Sequence, residues 1–133
     1  MTEATLAGRR VLLVEDEVLV ATLVETALED ENCTVVGPYH SLREALEAAR
    51  AETFDLAVLD INLAGEMIFP VAEVLEGRGV PFLLLSGYGE AGLPHDRQHW
   101  PICGKPFSLR DLVSALERML VTPLPRSGSG RDA

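Results

Sequence analysis

The stretch Pro81-Phe82-Leu83-Leu84-Leu85-Ser86-Gly87-Tyr88-Gly89 decides how this chain is read. Phe82 to Leu85 form an unbroken apolar run, opened by proline and closed by glycine. A run this short without polar alternation predicts a strand buried on both faces, as in a parallel sheet. It stops at a hydroxyl, Ser86, with glycines clearing space around it. A polar group is therefore expected beyond the carboxyl end of this strand.

Outward from this run, Val11–Val14, Thr34–Val36, Leu56–Leu59 and Ile102–Cys103 read as further short strands. Between them lie helical patterns. The first runs from Val18 to about Glu31, and the second follows Ser41, with Ser41 and Glu44 placed as a capping box. A short one spans Phe69–Glu76, with Pro70 in its first turn and Gly77 as its C-terminal cap. The last starts at Ser108 and ends near Leu120. Strands alternating with helices predict an α/β fold, a doubly wound five-stranded parallel sheet of flavodoxin-like order 2-1-3-4-5. Ligands of such sheets bind beyond the carboxyl ends of the strands, where the strand order reverses.

Composition bounds the function. The 133 residues suit one domain, and 47% hydrophobic content suffices for a core. We place a flexible N-terminus at 1–8, the folded domain at 9–120 and a disordered Pro/Gly/Ser-rich tail at 121–133. A net charge of −10 disfavours nucleic-acid and anionic-membrane partners, which require clustered Lys and Arg. Cys33 and Cys103 form no CxxC pair, and no signal peptide or membrane span is apparent, so a cytoplasmic protein with reduced thiols is expected.

The strand ends carry the chemistry. Glu15 and Asp16 follow the first strand and Asp60 ends the third. Ser86 ends the fourth and Lys105 follows the fifth, whereas the second ends at Gly37-Pro38 and offers no side chain. Each residue has a plainer alternative: Asp16 as a helix cap, Glu15 and Asp60 as turn residues, Ser86 bonding a strand-end carbonyl, Lys105 as a loop lysine. Capping does not, however, require these types together. Two like charges ~4 Å apart repel by roughly 4 kcal/mol at an effective dielectric near 20, so crowded carboxylates need a cation or protons. Oxygen ligands suit Mg²⁺, and an ammonium and a hydroxyl beside it describe a phosphoryl-transfer site.

Val11–Glu17 (VLLVEDE), Leu56–Asn62 (LAVLDIN), Ser86 and Gly104–Phe107 (GKPF) together resemble the receiver domain of bacterial two-component response regulators. The resemblance covers residues 9–120 and implies that Asp60 accepts a phosphoryl group from a histidine kinase. It implies Mg²⁺ held by Glu15, Asp16, Asp60 and the backbone carbonyl of Asn62. By the same resemblance, Lys105 would contact the phosphoryl oxygens, next to a cis Lys105-Pro106 peptide, and Ser86 would be the switch hydroxyl. Pro81–Tyr88 is further similar to the Pro-Phe-x-Phe-Ala-Thr-Gly-Tyr motif of the FAT GUY receivers, often paired with HWE-type histidine kinases, although Leu84, Leu85 and Ser86 replace Phe, Ala and Thr. With no effector domain after Leu120, the resemblance is to a stand-alone receiver that signals through protein contact or phosphorelay.

Departures from the family carry expectations of their own. Ala64 and Ile68 replace the usual Pro and Gly, predicting a differently shaped loop after Asp60. Ile102 replaces the aromatic switch, with Tyr88 as a candidate substitute and a screen against water at the acyl phosphate. The segment between Gly89 and Trp100 lacks helical periodicity and predicts a short or irregular fourth helix, ordered by phosphorylation. His95 and His99 are read as surface histidines for want of a third ligand.

Three rivals are set aside on residues. An aspartyl-phosphate phosphatase of the haloacid-dehalogenase type needs a general acid where Asn62 stands. A flavodoxin-like cofactor binder needs a phosphate-cradling loop where Glu15-Asp16-Glu17 would repel phosphate. A pseudo-receiver would not need the full Asp16, Asp60, Ser86 and Lys105 set.

Overall fold

The computed structural model describes residues 5–87 and 92–121. Five parallel strands form the main sheet: β1 (Arg10–Val14), β2 (Thr34–Tyr39), β3 (Leu56–Asp60), β6 (Phe82–Ser86) and β7 (Ile102–Gly104), in the order β2-β1-β3-β6-β7. This is the expected 2-1-3-4-5 arrangement. Strands β4 (Asn62–Leu63) and β5 (Glu66–Met67) pair with each other in a separate two-stranded hairpin. Helices α1 (Val18–Asp30), α2 (Leu42–Ala51), α3 (Phe69–Arg78) and α4 (Leu109–Val121) complete the domain.

Period-two alternation divides the core, because successive strand side chains point to opposite faces. Leu12, Val14, Ala57, Leu59, Phe82 and Leu84 pack with α2 and α3. Val11, Leu13, Val58, Leu83 and Leu85 pack with α1 and α4. The unbroken apolar run Phe82–Leu85 thus feeds both layers, as its pattern predicts. Ser41 caps α2 by accepting from Glu44 N (3.2 Å), and Ser108 caps α4 by accepting from Asp111 N (3.0 Å).

Four expectations are corrected. Leu6, assigned to a flexible N-terminus, is 1% exposed and packs in the α1/α4 layer, while Gly8 N donates to Asn32 O (2.9 Å). Helix α3 runs through Gly77 and ends at Gly79, whose φ of 74° supplies the left-handed cap. Strand β2 does not stop at Gly37-Pro38 but continues to Tyr39. There the pairing with β1 shifts register between Leu12 and Val14, and Gly37 takes φ 111°. A Cβ on Gly37 would meet Leu13 O at 2.8 Å, so the bulge needs glycine. The fourth correction, the side chain contributed by the end of β2, belongs to the site.

The loop after Asp60 has the altered shape expected from Ala64. It is a hairpin whose two central residues, Ala64 (φ 53°) and Gly65 (φ 95°), both have positive φ. That is the pattern of a type I′ turn. Proline, fixed near −65°, cannot adopt it. Asn62 Oδ1 accepts from Gly65 N (2.7 Å) and braces the turn. The segment before β7 carries a 3₁₀ turn, His95–Arg97, and no α-helix among its described residues. Tyr88 and its neighbours 89–91, on which the water-screening expectation falls, lie outside the described residues, as does the tail from 122.

Candidate functional site

The carboxyl ends of β1, β3, β6 and β7 converge on one cleft, lined by Asp16, Asp60, Asn62, Ser86 and Lys105 among others. Parallel pairing brings them level. Asp60 pairs with Leu85 and Ser86 with Gly104, while Lys105 N donates to Ser86 O at 2.8 Å. Glu15 and Asp16 follow Val14, which pairs with Leu59 next to Asp60. The Lys105-Pro106 peptide is cis, as the resemblance implies.

Glu15, Asp16 and Asp60 each place a carboxylate oxygen within 4.8 Å of the others. Glu15 is 0% exposed, Asp60 5% and Ser86 3%. Lys105 Nζ lies 3.3 Å from Asp60 Oδ1 and 3.7 Å from Glu15 Oε1. Asp16 does not cap α1, whose N-cap is Glu17 without a side-chain hydrogen bond, so its capping alternative falls away. Glu15 Oε2 accepts from Glu17 N (3.2 Å).

Burial sets the electrostatics. Desolvation, then a hydrogen bond and repulsion from Asp60, push the Glu15 carboxyl up to about 8, against the opposing pull of Glu17 N–H and Lys105. Burial also raises Asp60, opposed by its hydrogen bond with Glu15 and by Lys105. Lys105 is disfavoured as a cation by its own burial, yet the charges of Asp60 and Glu15 outweigh this and raise its pKa. One lysine does not neutralise three carboxylates.

The donor set suits a hard divalent cation. Glu15 Oε1 is buried without a hydrogen-bond partner, and every nearby ligand atom is oxygen. Asn62 stands at the cleft with its side-chain oxygen committed to Gly65 N, which leaves its main chain for any role toward the cation.

Two features escaped the sequence reading. The end of β2 does supply a side chain: the His40 ring Nδ1 lies 2.8 Å from Glu15 O. No local pattern around His40 signals this, because the contact depends on the β2 bulge. Away from the cleft, Trp100 is 2% exposed and its Nε1–H donates to Glu76 Oε2 (3.2 Å), which also accepts from His99 Nε2 (3.0 Å). His99 is thus a partner of α3, and the Arg97 guanidinium lies 5.5 Å from the Trp100 ring centroid.

Comparison with known proteins agrees with this architecture. Residues 11–117 match the response regulator receiver domain family. The transcriptional regulatory protein PdtaR of Mycobacterium tuberculosis is 30% identical over 113 residues, covering 82% of this chain and 55% of PdtaR. The chain therefore spans about half the length of the curated relatives it matches. The solution structure of SdrG from Sphingomonas melonis Fr1 is 33% identical, with a TM-score of 0.74 over 91% of this chain and 100% of SdrG. The PA1611 receiver domain from Pseudomonas aeruginosa PAO1, described with a magnesium ion coordinated in its active site cleft, shares the fold at 24% identity and a TM-score of 0.72, covering 87% of this chain and all of that one. This chain belongs to the response regulator receiver domain family, the phosphorylation-based signalling module of two-component systems.

Proposed function

We infer that Asp60 is the phosphoacceptor of this receiver and that a histidine kinase is the donor. The observation that carries the reading is the convergence of Lys105 on a buried Asp60 inside a three-carboxylate cluster. An Asp60 carboxylate oxygen attacks the phosphorus of the kinase's phosphohistidine. The P–N bond breaks, its electron pair returns to the imidazole, and an acyl phosphate forms on Asp60. Lys105 offsets charge on the phosphoryl oxygens, and the Ser86 hydroxyl donates to one of them. Glu15, Asp16, Asp60 and the Asn62 carbonyl would hold Mg²⁺, with Asp16 closer to the ion than the buried Glu15. When bound, Mg²⁺ supplies positive charge shared between the acidic cluster and the phosphoryl group.

The reaction is confined to the chain's own phosphorylation and dephosphorylation, so it is no enzyme for an external substrate. Signalling then proceeds by protein contact or onward phosphotransfer, with an HWE-type kinase as the candidate donor and no nucleic-acid partner. The cytoplasm is the proposed location; among the described residues no helix is long and apolar enough to cross a membrane.

The test is incubation with Mg²⁺ and acetyl phosphate, followed by intact mass. The parent should gain one phosphoryl group and Asp60→Asn none. Equal labelling of both proteins would falsify the assignment.

A further inference from the structure

The bulge in the edge strand β2 decides which of its residues meet the site-bearing end of β1. After Gly37-Pro38, Val14 pairs with Tyr39 instead of with the residue two positions beyond Val36. Glu15 N then donates to Tyr39 O (2.9 Å), and Glu15 O lies 2.8 Å from His40 Nδ1. A carbonyl oxygen only accepts, so Nδ1 carries the hydrogen. Both backbone polar groups of Glu15 are thereby tied to two consecutive residues, Tyr39 at the end of β2 and His40 just beyond it. The tied carbonyl belongs to the Glu15–Asp16 peptide, from which the Asp16 side chain departs.

We propose that His40 is a positioning residue for the acidic cluster: its Nδ1–H holds the Glu15 carbonyl and so fixes the Glu15–Asp16 peptide in the orientation that aims Asp16 at the cation. This rests on the metal-assisted reading above. The physical argument is one of preorganisation. Carboxylates that must gather around an ion repel one another without it. A peptide plane free to rotate would let Asp16 swing toward water, and gathering the ligands would then count against binding. Partners that orient metal ligands commonly change affinity by about 10–100-fold when removed. His40 lies at the exposed rim and acts through a main-chain atom, so the lower end of that range is expected. Bulges beside functional sites re-aim side chains, and here the re-aimed group is the histidine.

The experiment compares the parent with His40→Ala and His40→Asn, whose amide N–H falls close to where Nδ1 lies. Mg²⁺ affinity is measured calorimetrically on the unphosphorylated protein, and thermal midpoints are taken in EDTA. His40→Ala should bind Mg²⁺ about tenfold more weakly, with its EDTA midpoint little changed, and His40→Asn should recover to within about twofold. In the parent without Mg²⁺, nitrogen-resolved NMR of the imidazole should show the Nδ1-protonated tautomer. Unchanged affinity in His40→Ala, an equal loss in both variants, or an affinity loss matched by a lowered EDTA midpoint would each overturn the proposal. Failure of the wider reading looks different: Asp60→Asn would then label like its parent whatever His40 does.

Discussion

Lys105 and Glu15 face each other across 3.7 Å, the lysine partly exposed and the glutamate wholly buried. The lysine's second carboxylate, that of Asp60, is nearer still at 3.3 Å. Lys105 is thus the fixed cation of an over-acidic cluster, and it competes with any mobile cation that enters. Removing it should separate two properties that most site mutations impair together. Lys105→Ala should bind Mg²⁺ about three- to tenfold more tightly, because a unit charge at ~4 Å contributes up to roughly 4 kcal/mol at an effective dielectric near 20 and solvent screens part of that. If Lys105 contacts the phosphoryl oxygens as proposed, the same variant should accept phosphate from acetyl phosphate at least about tenfold more slowly. Calorimetry and a labelling time course check the two halves.

The buried Glu15 makes stability depend on pH in a set direction. Its carboxyl rises from 4.5 to about 8 on folding. The folded protein therefore holds this proton more tightly than the unfolded chain. The resulting stability is complete below about pH 4.5 and is lost as the pH climbs through 8. One such proton gives a slope of up to about 1.4 kcal/mol per pH unit inside that window. In EDTA the thermal midpoint should fall between about pH 5 and pH 8. Mg²⁺ favours the ionised cluster, so the midpoint gained on adding it should grow over the same interval. A flat EDTA profile across this interval would contradict the assigned burial of Glu15.

Trp100 is the chain's one tryptophan, and it anchors the segment before β7 to α3 and β6. Its ring meets Phe82 edge-on, with centroids 5.5 Å apart, and its N–H is satisfied by Glu76. Trp100→Phe should cost about 1–3 kcal/mol, since it removes a half-buried hydrogen bond and some ring volume. Trp100→Ala should cost about 3–5 kcal/mol. Urea unfolding followed by far-UV circular dichroism reads both, and the parent's emission should be blue-shifted in the native state.

Ala64 holds φ 53°, where a Cβ is unfavourable, so the hairpin beside Asp60 carries a local cost. Ala64→Gly should stabilise the folded protein by roughly 0.5–1 kcal/mol, the relief at φ > 0 being partly offset by a more flexible unfolded chain. Ala64→Pro, which restores the usual family residue, should destabilise by about 2 kcal/mol or more because its ring forbids positive φ. Chemical denaturation curves for the pair give the two signs directly, and a stabilising proline would show that the loop is not this hairpin.

The segment 92–100 carries the 3₁₀ turn His95–Arg97 and no α-helix among its described residues, and we expect phosphorylation to order it. Amide exchange there should be faster than in β6 without phosphate and should slow on activation. Uniformly strong protection in the unphosphorylated protein would count against this.

Much of the fold was legible in the chain itself. Four residue types at four strand ends, Glu15-Asp16, Asp60, Ser86 and Lys105, announced a cleft because a parallel doubly wound sheet leaves few places for its strand ends. Runs such as Phe82–Leu85 declared burial on both faces through composition alone, and Ser41 and Ser108 marked helix starts through local hydrogen bonding. These signals are local, or follow from a topology with few alternatives. Other features arose only when distant segments met. Gly37 could be read as a stop, because its approach to Leu13 O exists only once β1 and β2 are paired. His40 carried no signal until that bulge set it against Glu15, and nothing in the sequence linked Glu76 to Trp100 before the two packed together. The depth of Glu15's burial, and hence the protons and the cation its cluster demands, likewise belongs to the assembled fold. Sequence determined which chemical groups arrive at the cleft, and tertiary packing decided their orientation and charge, because desolvation and long-range hydrogen bonds exist only in three dimensions.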